Sequence, residues 1–185
     1  MRAFIAIVLE PCIAEQVAQW QNYLKQSGVC GRFTAQENLH LTLAFLGQTD
    51  RMDDALHAMQ EVTESAFVLT IDQGGCFKKR GGDVLWMGVK RSKALTTLQS
   101  RLCERLQAAD FTLEERLYIP HITLGRRMTL PPSLNLAALN WPVLIQPVRE
   151  ICLMESTRVD GRLCYLPRAS VPLEEHAYES NVKEK

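Results

Sequence analysis

Hydrophobic residues along the chain fall into strand-length runs and helical spacings, and one succession of them occurs twice. Residues 4–8 form an apolar run of strand length. Ile13, Val17, Trp20 and Leu24 follow at spacings of 4, 3 and 4, which predicts a helix entered at Pro11 and ended by Gly28. A polar loop then leads to a strand that begins at His40 and runs through Phe45 and Leu46 to Gly47. In the second half, residues 84–89 are again a strand-length run. Ser92 can cap a helix whose Leu95, Leu98, Leu102 and Leu106 are spaced 3, 4 and 4 apart. Another loop leads to a strand that begins at His121. Ile13 precedes His40 by 27 residues and Leu95 precedes His121 by 26, so the pattern is that of a duplicated unit.

The rest of the pattern is plainer. Residues 50–64 read as a further helix, with Leu56, Met59 and Thr63 on one side. Residues 66–71 read as a strand, followed by a glycine-rich loop from Gln73 to Gly82. Residues 143–154 and 163–171 read as two strands joined by a turn at Asp160-Gly161, with Pro147 marking a bulge or an edge position. No linker of disordered composition separates the halves. The expectation is an α+β fold: one bilobal, pseudo-twofold domain over residues 1–173, with a frayed polar tail at 174–185. Two antiparallel sheets should face a central cleft, with helices on their outer sides.

Composition narrows the function classes. A chain of 185 residues, 46% hydrophobic and 23% charged, can bury one good core. Lys plus Arg number 21 and so do Asp plus Glu, which argues against bulk coating of nucleic acid but leaves room for a local basic pocket. The first residues lack the long apolar region and cleavage site of a signal peptide, and no run approaches a membrane span. A cytoplasmic protein without membrane contact is expected. The six cysteines show no Cys-x-x-Cys pair and are read as reduced, buried thiols, with Cys152 and Cys164 the clearest. No Cys/His cluster has zinc spacing, so neither metal nor cofactor is expected.

The chemistry lies at the starts of the two matching strands. Glu37-Asn38-Leu39-His40-Leu41-Thr42-Leu43 and Pro120-His121-Ile122-Thr123-Leu124 both read His, aliphatic, Thr, aliphatic. Strand alternation puts each His and Thr on one face and the aliphatic residues on the other. An imidazole, with an ordinary pKa of ~6.5, serves as acid or base near neutrality. A pair of them can protonate a leaving oxygen while deprotonating a water on the opposite side, as in-line displacement at phosphorus requires. Thr42 and Thr123 can donate to non-bridging phosphate oxygens. Arg126 and Arg127 follow the second motif, but alternation turns Arg126 away from His121 unless the strand ends or bulges. Phe45 belongs either to the core or to a base-stacking surface. His57 and His176 are read as surface residues, and Trp20 and Trp86 as packing. Lys78-Lys79-Arg80 is a solvated loop or, with its flanking glycines, a basic flap.

These motifs resemble the 2H phosphoesterase superfamily. The flanks Phe45-Leu46-Gly47, Val84-Leu85-Trp86-Met87-Gly88-Val89, Arg116 and Gly125-Arg126 are similar to its bacterial RNA 2′,3′-cyclic phosphodiesterase (2′-5′ RNA ligase) branch. Glu155-Ser156 and Gly161 through Tyr165 resemble that family's final hairpin. The resemblance implies metal-free hydrolysis of a 2′,3′-cyclic phosphate at an RNA end, tRNA fragments among the candidates, to a 2′-phosphate by a monomeric protein, with reversible 2′-5′ ligation by the same pair. It implies His40 as proton donor, His121 as acceptor, Thr42 and Thr123 on the phosphate, and Phe45 and Arg126 in substrate binding. The residues by themselves give the pair without assigning the two roles. Gly82-Asp83 stands where the family often has Pro-Arg, and Phe33-Thr34-Ala35 where it often has Trp-x-Pro, which touches contacts to the RNA body and not the chemical centre. Two alternatives share the sequence: an enzyme of the same fold acting on a small cyclic nucleotide or a 2′-5′ linkage, and an idle RNA-end binding module.

Overall fold

The matching runs become matching elements. The computed structural model describes residues 1–175. Its first half runs β1 (Arg2–Val8), α1 (Pro11–Gln26), β2 (Cys30–Phe33), β3 (His40–Gln48) and α2 (Met52–Gln60). The second runs β4 (Phe67–Phe77), β5 (Asp83–Val89), α3 (Lys93–Ala108) and β6 (His121–Thr129). A closing group comprises β7 (Leu144–Val148), β8 (Glu150–Val159) and β9 (Arg162–Pro172). Pro11 opens α1, while α3 is capped by Ser92, whose Oγ accepts from the Leu95 amide at 3.2 Å. The leucines that predict α3 are its buried stripe.

The strands pair in the order β7-β4-β5-β6-β3-β1-β8-β9, with β2 added to β6. This order is symmetric about the β6/β3 seam, so that β5 matches β1, β4 matches β8 and β7 matches β9. The seam itself is recorded at one pair, Leu41 with Ile122. The two sheets expected to face each other are therefore two halves of one curled, nine-stranded sheet. The helices are exchanged between the halves. Gln21 of α1 donates to the Leu124 carbonyl of β6 at 2.9 Å, and Gln99 of α3 to the Leu43 carbonyl of β3 at 3.4 Å. Buried residues of both halves consequently form one contiguous core.

Several local expectations change. The strand expected at 143–154 is two strands, because β7 pairs with β4 while β8 pairs with β1. Pro147 lies in β7, at the rim of the sheet, where its missing N–H costs nothing. β4 continues to Phe77 through residues expected as loop. Its glycines make room for indoles rather than for a turn: a Cβ on Gly74 would lie 2.1 Å from Trp141, and one on Gly75 2.6 Å from Trp86. Asp160 and Gly161 have φ of 48° and 77°, as a tight hairpin turn needs. Glu174 is not frayed, since it bridges to Ser65 and its amide donates to the Glu64 carbonyl at 2.8 Å; His176 and the rest of the expected tail lie outside the described residues. Of the six free cysteines only Cys152 is buried, while Cys164 is half-buried and Cys12 and Cys30 are exposed.

Candidate active site

The seam brings both motifs to one place. Leu41 and Ile122 are fully buried partners on the core side, so alternation puts His40, Thr42, His121 and Thr123 together on the opposite face, all half-buried. The two histidines stand on adjacent strands rather than across a gap between sheets.

Each imidazole is held the same way. His40 Nδ1 lies 2.7 Å from the Asn38 carbonyl, and His121 Nδ1 lies 2.7 Å from the Ile119 carbonyl. A carbonyl only accepts, so Nδ1 carries the proton in both rings and Nε2 is the basic atom of the neutral form. His40 Nε2 accepts from the Thr42 hydroxyl at 3.0 Å. Burial pushes the His40 pKa down to about 4, aided by the positive charge of Arg126 and of His121 and opposed by the Asn38 carbonyl. Burial also lowers His121, with Arg116 and Arg126 adding to it and the Ile119 carbonyl opposing.

A bulge at the same motif position in each strand decides what joins the histidines. The β1–β3 register passes from Ala44 to Thr42, skipping Leu43, and the β5–β6 register passes from Gly125 to Thr123, skipping Leu124. Each extra residue reverses the alternation beyond it. Phe45 and Arg126, each five residues after its histidine, thereby turn to the histidine face. Phe45 is 38% exposed, with its ring 6.3 Å from Phe4, which itself lies 4.8 Å from His40. Arg126 is exposed and acts on both imidazoles. The bulge that Arg126 requires is present.

Other neighbours carry weaker sequence signals. Tyr165 of β9 stands edge-on to His40 at 5.1 Å, and Phe77 of β4 edge-on to His121 at 5.0 Å. Trp86, expected as packing, lies 6.3 Å from His121 because it pairs with Thr123 and so shares its face. Trp20 does pack, against Tyr23 and Trp141. The buried Asn38 side chain donates to the Leu163 carbonyl at 2.9 Å and accepts from the Tyr165 amide at 3.0 Å, which ties the β8–β9 hairpin to the first motif. The Tyr118 hydroxyl donates to the Thr42 carbonyl at 3.2 Å, bracing the first motif from the second half. Lys78 is pinned to Asp83 at 2.6 Å, so the basic turn between β4 and β5 is anchored at its base. His57 is exposed on α2 beside Glu61.

Among the described residues no three His, Cys, Asp or Glu side chains gather as metal ligands, and no helix is long and apolar enough to cross a membrane. A cavity of about 630 Å³ lined by Leu9, Pro11, Gln146, Arg149, Cys152 and Leu173 includes neither histidine.

Known proteins resemble this chain in sequence and fold. The model of the 2′-5′ RNA ligase superfamily matches residues 9–160. An RNA 2′,3′-cyclic phosphodiesterase of Thermotoga maritima is 31% identical over 153 residues, 80% of this chain and 78% of that one. One of Escherichia coli strain K12 is 31% identical over 175 residues, 90% of this chain and 93% of its own. The crystal structure of E. coli LigT complexed with 3′-AMP superposes with a TM-score of 0.79 at 29% identity, covering 93% of this chain and 97% of that one.

Proposed function

Since the chain belongs to the 2′-5′ RNA ligase superfamily, we propose that it hydrolyses 2′,3′-cyclic phosphate ends of RNA to 2′-phosphates, using His40 and His121 as its proton-transfer pair. The observation that carries this reading is the twofold repetition of one device: an imidazole whose Nδ1 donates to a carbonyl two residues back at 2.7 Å, which leaves Nε2 as the basic atom, and a threonine two residues on that shares its strand face. In the proposed step His121 Nε2 takes a proton from water, whose oxygen bonds to phosphorus opposite the 3′ oxygen. The bond from phosphorus to the 3′ oxygen breaks, and His40 Nε2 gives that oxygen its proton. Thr42 and Thr123 donate to the non-bridging oxygens, Arg126 balances their charge, and Phe45 offers a face to a base.

His40 can act as the acid only as an imidazolium. Its pKa of about 4 is set by burial and by neighbouring positive charge. A phosphate anion against Arg126 offsets that charge and draws the pKa upward, so binding itself loads the acid. With a 5′-hydroxyl in place of water the same step joins a cyclic end in a 2′-5′ linkage: His121 takes the hydroxyl proton, its oxygen bonds to phosphorus, and the 3′ oxygen leaves with the proton of His40. A monomer acting in the cytoplasm, with tRNA fragments among its substrates, belongs to the same proposal.

The test is incubation of the purified protein, in EDTA, with an RNA ending in a 2′,3′-cyclic phosphate, followed by mapping of the product's phosphate. A 2′-phosphate that is lost in both His40→Ala and His121→Ala supports the reading. No turnover, or turnover that survives both substitutions, overturns it.

A further inference from the structure

Resting on that reading, we propose that Arg32 and Arg126 form a second anion subsite, which holds the backbone phosphate 5′ of the terminal nucleotide and so favours RNA ends over cyclic mononucleosides. Arg32 of β2 stands directly opposite Arg126 of β6 in the antiparallel register. Opposed residues share a face with Cα atoms about 5 Å apart, and like charges placed so repel. Among the described residues neither arginine makes an ion pair that would relieve the repulsion. An anion between them does relieve it.

The direction of Arg32 follows from its neighbour. Phe33 packs against the core, with Lys25 of α1 over its ring at 4.9 Å, so alternation turns Arg32 away from α1 and toward the histidine face. β2 is built into this position. Gln21 holds the Thr34 and Leu124 carbonyls together, each at 2.9 Å. Gly125 lets the strand close in, since a Cβ there would lie 2.9 Å from the Arg32 carbonyl and 2.5 Å from Met128 Sδ. Arg127, with φ of 54°, adopts the left-handed backbone that a non-glycine residue rarely takes and is also exposed. Three arginines thus reach solvent around one bulge on a protein of zero net charge. Along β6 His121 comes first and the opposed pair Arg126 and Arg32 follows on the same face, an order that suits a reacting phosphate and then its chain neighbour.

A phosphate at this subsite could be the substrate's own or free in solution, and the substrates separate the two. We would measure kcat/KM for a nucleoside 2′,3′-cyclic phosphate with a 5′-hydroxyl, the same compound with a 5′-phosphate, and an RNA oligonucleotide with a cyclic end. The parent should prefer the two that carry the extra phosphate. In Arg32→Gln that preference ratio should fall about tenfold, the loss of one charged hydrogen bond. The slope of log kcat/KM for the oligonucleotide against log salt should become shallower by about one unit. An unchanged ratio and slope overturn the subsite while leaving the phosphodiesterase reading standing. So does a loss confined to inhibition by inorganic phosphate, which would mark a site for free anions. Failure of the parent on all three substrates overturns both.

Discussion

His40 and His121 occupy equivalent positions and are tethered by identical 2.7 Å contacts, yet their surroundings differ. His40 lies between Phe4 and Tyr165, beside a small cluster of Phe4, Ala6, Cys152 and Met154, and its Nε2 accepts from Thr42. Among the described residues His121 has no matching hydroxyl contact, and it faces Phe77 and Trp86. The same bulge delivers Phe45 beside the first and Arg126 beside the second. Duplication thus supplied two acid/base groups on one face, and divergence around them supplied a polarity. The hydroxyl contact and the stronger pKa depression lie at His40, the arginine at the end of the second motif.

The largest break in this comparison is removal of either imidazole. His40→Ala and His121→Ala should each lower kcat by about 10² to 10⁴-fold, as loss of a proton-transferring group does, with little change in unfolding. A tenfold or greater inequality between them would show that the halves are not equal partners. The pH profile sharpens the point. Turnover needs one imidazole charged and one neutral, and both pKa values lie below the ordinary 6.5, His40 at about 4. The kcat/KM profile, which reports the free protein, should peak on the acid side of 6.5 and fall about tenfold per pH unit above its upper limb. The kcat profile should sit at higher pH, because bound phosphate raises both groups. A kcat/KM optimum above pH 7.5 would contradict the depressed values. Next in size, Arg126→Gln should cost about 10 to 100-fold in kcat/KM on every cyclic substrate, whereas Phe45→Ala should cost about tenfold and depend on the base.

The duplication, both histidine strands and the α1 and α3 stripes were legible because each rests on local spacing. So was the condition on Arg126, since a strand of strict alternation turns it away. The bulges themselves were not legible: nothing in Leu43-Ala44 or Leu124-Gly125 signals an extra residue until the partner strand fixes the register. The exchange of α1 and α3 between halves was hidden for a similar reason. A buried stripe says that a helix packs, without naming the sheet it packs on. Trp86 was not legible either, because the run Val84-Leu85-Trp86-Met87-Gly88-Val89 has no polar position to mark its outer face. Nor were Phe77 and Tyr165, since only the hairpins bring them to the histidines.

The smallest expected effect on catalysis tests how the two tethers are held. Both use backbone carbonyls, so Asn38→Ala and Ile119→Ala each leave the imidazole its partner. They differ in what the side chain does. Asn38 is 6% exposed and its amide bonds two backbone groups of the β8–β9 hairpin, whereas Ile119 is 43% exposed. Removing the Asn38 amide leaves the Leu163 carbonyl and Tyr165 amide short of a partner and frees the hairpin that carries Tyr165 against His40. Denaturant unfolding should show a loss of about 1–3 kcal/mol for Asn38→Ala and at most about 0.5 kcal/mol for Ile119→Ala. Turnover should fall only a few-fold in the first and hold in the second. If the two variants unfold alike, the first histidine is no more firmly framed than the second, and the polarity of the site must then rest on Phe45 and Arg126.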